Sequence, residues 1–121
     1  MSLNLDITPT ILDWAGIPIT GNVQGISLVP LLEGKIDFLR KDCFYEHPFE
    51  YDGKIPQSEG VRSNQWKYIR WISQDPVYEE LYDLENDSDE MNNLAANSAY
   101  RPQLEKMRVR WAELRNMARG T

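Results

Sequence analysis

The sequence predicts an α+β fold: a small antiparallel sheet of about four strands packed by a long C-terminal helix, preceded by a segment with short helices. Three observations predict it. Gly60 to Ser73 reads as two strands joined by a tight polar turn, with Ser63-Asn64-Gln65 at the tip. Glu79 to Leu84 reads as a further strand, with Leu81 inward and Tyr82 on the other face, running into an acidic turn. Leu104, Met107, Trp111, Leu114 and Ala118 recur at helical spacing and form one apolar stripe, suited to covering a sheet face.

The remaining elements follow in order. Thr8 as cap, Pro9 in the first turn and Gly16 as a left-handed stop predict a helix with Ile11, Leu12 and Ala15 as its apolar face. Residues 17–25 contain Pro18, Gly21, Asn22 and Gly25 and read as loop. Ser27 to Gly34 predicts a second short helix, capped by Ser27 and stopped by Gly34. Both pieces are too apolar for their length to bury their own surface, which suits a segment docked on a larger body. Asp42 to His47 predicts a strand ending at Pro48, and residues 49–58 a loop. On the second hairpin strand Trp66, Tyr68, Arg70 and Ile72 alternate with Lys67, Ile69 and Trp71, a pattern for a pleated surface packed on at least one face. Gln74-Asp75-Pro76 is a turn, and residues 90–96 are expected as a short helical turn. Pro102 suits the first turn of the last helix and Gly120 its end.

A chain of 121 residues suits one domain able to bury about two-thirds of the surface its unfolded form exposes. The net charge of -6 argues against non-specific nucleic-acid binding. Charge is uneven. Residues 75–90 hold eight acids and no base, and residues 98–121 hold six bases and two acids. The plain expectation is a solvated acidic turn and a helix with a basic outer face. No apolar run approaches a membrane span of ~20 residues. No signal peptide is visible at Met1-Ser2-Leu3. The single cysteine, Cys43, excludes an internal disulfide and a cysteine-built zinc site, and its alternating apolar neighbours make it a strand residue.

No nucleophile, Walker or dinucleotide motif is present, and one histidine excludes His-pair metal motifs. Asp83, Glu85, Asp87 and Asp89 open like a calcium loop, but Ser88 stands where a sharp turn needs Gly and Leu94 where a bidentate Glu is required. The alternative is that Asp87, Ser88 or Asp89 caps the turn that follows. Asn86-Asp87-Ser88 is a glycosylation sequon of a kind common by chance. His47 is the one side chain whose ordinary titration lies near neutral pH. Neighbouring strand residues face opposite ways, so Glu46 need not cooperate with it, and a lone histidine is more often structural. Arg62 sits in a hairpin strand where a planar guanidinium suits sulfate or carboxylate. Its alternative is a salt bridge or a stack on Trp66 or Tyr68.

Several stretches together resemble the C-terminal end of formylglycine-dependent sulfatases. Residues 6–17 (DITPTILDWAGI) resemble the family's "DI-x-PT-x-LD-x-AG" helix, and residues 24–34 (QGISLVPLLEG) its "QG-x-SL-x-PLL-x-G". Residues 61–69 (VRSNQWKYI) are similar to its "VRT-x-x-x-KYI" hairpin, followed by "ELYDL" at 80–84 and "E-x-x-NLA" at 90–95, all in the expected order. Ser88 departs from the proline of many relatives.

The resemblance implies that residues 1–35 dock as part of a larger α/β sulfatase domain and that residues 36–121 form the C-terminal subdomain. It places the formylglycine nucleophile and the calcium ligands in an upstream domain. Cys43 is followed by Phe44-Tyr45-Glu46, not by the modification motif, so no catalytic residue and no metal ligand is expected in this chain. The nearest likeness is to carbohydrate-type members, the glucosamine-6-sulfatases and mucin- or heparan-desulfating enzymes. There the chain would wall the substrate cleft, with His47 and Arg62 as substrate contacts. The partners so implied are the upstream domain and a sulfated glycan, with no nucleic acid and no membrane span, and the whole protein would be periplasmic or secreted. Stripped of that domain, residues before about 36 are expected to self-associate or be disordered. Two alternatives stand: a self-contained carbohydrate- or protein-binding module using the Trp66, Tyr68 and Trp71 rings, and the tail of a related phosphonate or phosphate ester hydrolase.

Overall fold

The computed structural model describes residues 1–21, 23–49 and 54–120. The chain divides into two compact units, Met1–Lys41 and Asp42–Thr121. The division falls later than residue 35 because Arg40 reaches back to Asp6, so the stretch before β1 belongs with the first unit.

In the first unit a 3-10 turn at Asn4–Asp6 runs directly into α1, Ile7–Trp14. Thr8 therefore lies inside the helix and not at its cap. The Asp6 carboxylate turns the chain earlier by accepting the Leu3 amide at 2.7 Å. Gly16 ends α1 at φ 69, as expected of a left-handed stop. The second helix, α2, is the single turn Val29–Leu32, with Ser27 Oγ accepting the Val29 amide at 3.2 Å and Gly34 following at φ 70. Thr10 joins the two helices: its hydroxyl donates to the Asp6 carbonyl at 2.6 Å and accepts the Leu28 amide at 2.9 Å.

The interior of this unit inverts the expected apolar face. Asp6, Pro9 and Thr10 are buried, while Ile7, Ile11, Trp14, Leu32 and Phe38 are each more than half exposed. Ile11 and Ala15 point to solvent and only Leu12 is half-buried.

The second unit contains β1 (Asp42–His47), β2 (Ser58–Ser63), β3 (Trp66–Trp71), β4 (Tyr78–Asp83) and α3 (Arg101–Arg119). The strands form one antiparallel meander in the order β1-β2-β3-β4. The loop expected at 49–58 lies partly outside the described residues, and Ser58 already belongs to β2. The hairpin tip narrows to Asn64-Gln65, since Ser63 Oγ accepts the Trp66 amide at 2.8 Å and closes the strand pair.

One row of the pleat, Phe44, Val61, Tyr68 and Leu81, lies side by side across all four strands. Val61, Tyr68 and Leu81 are fully buried beneath Leu104 and Met107 of α3, with Trp111 and Leu114 packed beside them. Burying each such apolar side chain contributes roughly 1.5–3 kcal/mol. The helical stripe read from sequence is thus the inner face of α3 from Leu104 to Leu114, while Ala118 is exposed, and Gly120 closes that helix at φ 71.

The basic outer face expected of α3 is not what forms. Four of its five arginines turn back to the sheet. Arg108 bonds Glu79, Arg110 bonds Asp42 at 2.7 Å, and Arg115 and Arg119 both bond Glu59, each at 2.9 Å. The register explains this, because Glu59, Arg70 and Glu79 form the next row on the same sheet face. Burial would raise Glu79, but the Arg108 and Tyr68 hydrogen bonds outweigh it and hold its carboxyl below the usual range. The hydrogen bond to Glu79 likewise pushes Arg108 up.

The helical turn expected at residues 90–96 is absent. Asp87 accepts the Met91 and Asn92 amides at 3.0 and 2.8 Å, and Glu90 takes φ 56. Asn93 Oδ1 then accepts the Leu81 amide at 3.0 Å, and the Leu94 amide donates to the Leu81 carbonyl at 2.8 Å. This stretch covers the outer edge of β4, so its backbone groups are spent on the sheet and cannot close a helix. A 3-10 turn at Ser98–Tyr100, capped by Asn97, then leads into α3.

Gly60 marks the tightest point of the sheet. A Cβ there would lie 2.4 Å from Tyr45 Cε1 and 2.5 Å from the Tyr68 carbonyl oxygen. The second of these is backbone and cannot swing away. Gly60→Ala should therefore cost about 1–3 kcal/mol, read as a lowered thermal midpoint. A midpoint within error of the unsubstituted chain would show that the strands can part there without penalty.

Candidate functional site

The sheet face turned away from α3 carries three rows. His47, Ser58, Trp71 and Tyr78 make the first; Tyr45, Gly60, Ile69 and Glu80 the second; Cys43, Arg62, Lys67 and Tyr82 the third. Both residues singled out as substrate contacts, His47 and Arg62, are on this face. Glu46 points to the other, as strand alternation requires.

The two residues are not together. His47 ends the first row and Arg62 sits in the third, one strand over. At ~3.4 Å per residue their α-carbons are separated by roughly 14 Å. That distance exceeds what one sugar ring spans. His47 is half-buried, and its Nε2 is enclosed with no hydrogen-bond partner among the described residues. Arg62 is exposed. The rings of Trp66 and Tyr68 belong to the opposite face, so the stacking alternative for Arg62 is closed by geometry.

Between these ends lies a group that the sequence reading did not single out. Glu80 Oε1 accepts Trp71 Nε1 at 3.1 Å, and its Oε2 accepts the Tyr82 hydroxyl at 3.2 Å. Burial and the Glu80 charge push the Tyr82 phenol up to about 12. Burial first, then Glu80 and Glu90, raises the Tyr45 phenol well above its usual value. Glu90 itself is paired with Lys67 at 2.5 Å. The signal for Glu80 was its place in the strand: between Tyr78 and Tyr82 at two-residue spacing, it had to share their face.

Among the described residues no group of three or more His, Cys, Asp or Glu side chains is arranged to hold a metal ion. The run that opens like a calcium loop is spent on its own turn. Asp83 accepts the Glu85 amide at 3.2 Å and Asn86 Nδ2 at 2.9 Å. Asp87 accepts the Met91 and Asn92 amides, which lower its carboxyl. These residues, engaged by their own turn, do not fit a calcium site. No helix among the described residues is long and apolar enough to cross a membrane.

A four-stranded meander backed by one C-terminal helix follows a short helical unit centred on a buried carboxylate. Residues 1–117 match the family model described as N-sulphoglucosamine sulphohydrolase, C-terminal, and the chain belongs to that family. It is 34% identical over 104 residues to an N-acetylglucosamine-6-O-sulfatase of Bacteroides thetaiotaomicron, covering 83% of this chain and 18% of the relative. Arylsulfatase K of Homo sapiens is 35% identical over 96 residues, covering 75% of this chain and 18% of that enzyme. The structure of BT4656 in complex with its substrate D-glucosamine-2-N,6-O-disulfate superposes with a TM-score of 0.85 at 28% identity, over 96% of this chain and 24% of the other. The phosphonate monoester hydrolase of Agrobacterium radiobacter superposes with a TM-score of 0.75 at 26% identity, over 93% and 24%. The chain thus spans about a fifth of the length of the curated relatives it matches.

Proposed function

We propose that this chain is the C-terminal part of a sulfatase that hydrolyses sulfate esters of a sulfated carbohydrate, with glucosamine sulfates as the leading substrate class. The observation that carries the reading is the family match running from residue 1 to 117. The N-acetylglucosamine-6-O-sulfatase relative supports the substrate class. In this reading the chemistry, calcium and formylglycine included, belongs to the preceding domain, and the whole enzyme works in the periplasm or outside the cell. Residues 1–35 dock on that domain through their exposed isoleucines and Trp14, and they self-associate when it is removed. The sheet face bearing His47 walls the cleft.

His47 is the stronger substrate contact of the two. Its enclosed, unpartnered Nε2 is a polar atom lacking a bond that a sugar hydroxyl or sulfate oxygen can supply. Arg62, about 14 Å away, would reach only a second sugar unit of a longer glycan. In the full-length enzyme assayed on glucosamine 6-sulfate, His47→Ala should lower kcat/KM about tenfold, as expected for one lost polar contact near 1.4 kcal/mol. Arg62→Ala should matter only for oligosaccharides. Unchanged kinetics for His47→Ala would remove it from the cleft.

The phosphonate monoester hydrolase likeness favours a second reading, a phosphonate or phosphate ester hydrolase with the same C-terminal part. Assaying the full-length protein on both ester classes separates the two. Preferred turnover of the sulfate ester is expected, and preferred turnover of the phosphonate would overturn the first reading. Residues 1–121 alone should show neither activity. Tight binding of sulfated oligosaccharides by that isolated piece would instead favour a self-contained binding module.

A further inference from the structure

We propose that two copies of the protein associate through the outer face of α3, as an antiparallel helix pair whose two-fold axis passes between Val109 and Arg110 and which sets Lys106 of each copy against Glu113 of the other. The sheet takes only one side of this helix. Pro102, Lys106, Val109, Glu113 and Met117 follow one another at helical spacing. At ~100° per residue they fall within an arc of about 80°, opposite the buried Leu104, Met107 and Trp111. All five are exposed, Val109 and Met117 at 60% and 71%. A single exposed apolar residue is ordinary. Three on one face, at the middle and both ends of the helix, make a second seam. Helix propensity gives no local reason for it, because Val is a poorer helix former than the Ala, Lys or Glu that would serve at a solvated position. Pro102, Lys106, Val109 and Glu113 rim one shallow hollow, a groove of the kind that receives a side chain from a facing helix.

The charges name the occupant. A two-fold axis makes every contact occur twice, so a face that pairs with its own copy must be self-complementary. With the axis between Val109 and Arg110, Lys106 faces Glu113, Pro102 faces Met117, and the two Val109 side chains flank the axis. Moving the axis onto Val109 sets Glu105 against Glu113, and moving it onto Arg110 sets Arg110 against itself. Of the three registers, the first alone sets no like charges opposite each other. Glu113 already accepts Arg110 of its own helix at 2.8 Å through Oε2. A carboxylate accepts at both oxygens, so it can hold Lys106 of the second copy as well. One helix face buries less than the ~800 Å² per partner of a standard interface, so the dissociation constant should be on the order of 10–100 μM.

The test is sedimentation velocity on the full-length protein. From ~1 to ~300 μM the weight-average mass should climb from one chain toward two. Lys106→Glu makes both contacts acid on acid, and Glu113→Lys makes both base on base. Each variant alone should show a dissociation constant about tenfold higher. Mixed in equal amounts, the two variants should pair with each other as well as unsubstituted chains do, because the acidic face of one then meets the basic face of the other at both contacts. Both positions are exposed and outside the core, and recovery on mixing shows that each variant is folded. A protein that stays monomeric at ~300 μM would leave the seam to a different partner. Association unchanged by either substitution would put the contact on another face. Variants that stay apart when mixed would remove the antiparallel register. Any of these three results overturns the proposal. The pairing does not depend on which ester is cleaved, and a protein without sulfatase activity that shows the exchange would leave it standing.

Discussion

Glu59→Ala should unfold the second unit more easily than any exposed charge substitution, by about 3 kcal/mol. The Glu59 side chain is only 2% exposed and accepts from Trp111 Nε1 at 3.0 Å, Arg115 and Arg119. Removing it strands an indole N–H and two guanidinium groups beside the core. Full burial of the cations would take the cost to ~5 kcal/mol. Arg115 and Arg119 are a third to nearly half exposed and regain water when released, which argues for the lower figure. For a unit of this size the thermal midpoint should fall by roughly 12–24 °C. Glu59→Gln keeps an acceptor for Trp111 and should lose about half as much. Glu105→Ala, which breaks an exposed pair with Arg108 one helical turn away, should cost under ~0.5 kcal/mol. Glu59→Ala melting within a degree or two of the unsubstituted chain would show that the helix is held by its apolar stripe alone.

The same clamp explains what was legible in the sequence and what was not. Strand and helix positions came from periodicity: two-residue alternation across 66–72, and the stripe Leu104, Met107, Trp111, Leu114 and Ala118 at helical spacing. Periodicity reports one element at a time. It showed where α3 is apolar but not that the flanking arginines would meet a row of sheet acids, because that row exists only once β2, β3 and β4 are in register. The separation of His47 from Arg62 was hidden for the same reason, since it depends on pairing across β1 and β2. The stretch 90–96 misled in another way. Its local pattern suits a helical turn, but Asn93 and Leu94 are drawn off to satisfy the edge of β4, a non-local demand. The family resemblance, by contrast, needed no pairing. It rests on short motifs in linear order and so was fully readable.

Asp6→Ala should release the first unit while leaving the sheet intact. The Asp6 carboxylate is fully buried and accepts from Arg40 twice at 2.5 Å, from the Leu3 amide at 2.7 Å and from the Ile26 amide at 2.9 Å. It is the group that replaces an apolar core in Met1–Lys41. Breaking a buried pair of this kind costs about 3–5 kcal/mol, and the exposed isoleucines of the unit offer nothing in return. Amide exchange over 7–14 should accelerate to the unprotected rate, whereas the amides of β2 and β3 keep their protection. Acid should do the same. The hydrogen bonds from Arg40, opposed by burial and aided by the Ile26 and Leu3 amides, hold Asp6 well below the usual carboxylate range. Its folded pKa is therefore depressed, and the stability it contributes is complete above the unfolded value near 4 and drains away as pH falls below it. Protection of residues 7–14 that is indifferent both to Asp6→Ala and to acidification from pH ~5 to ~2 would mean that something other than this carboxylate organises the unit.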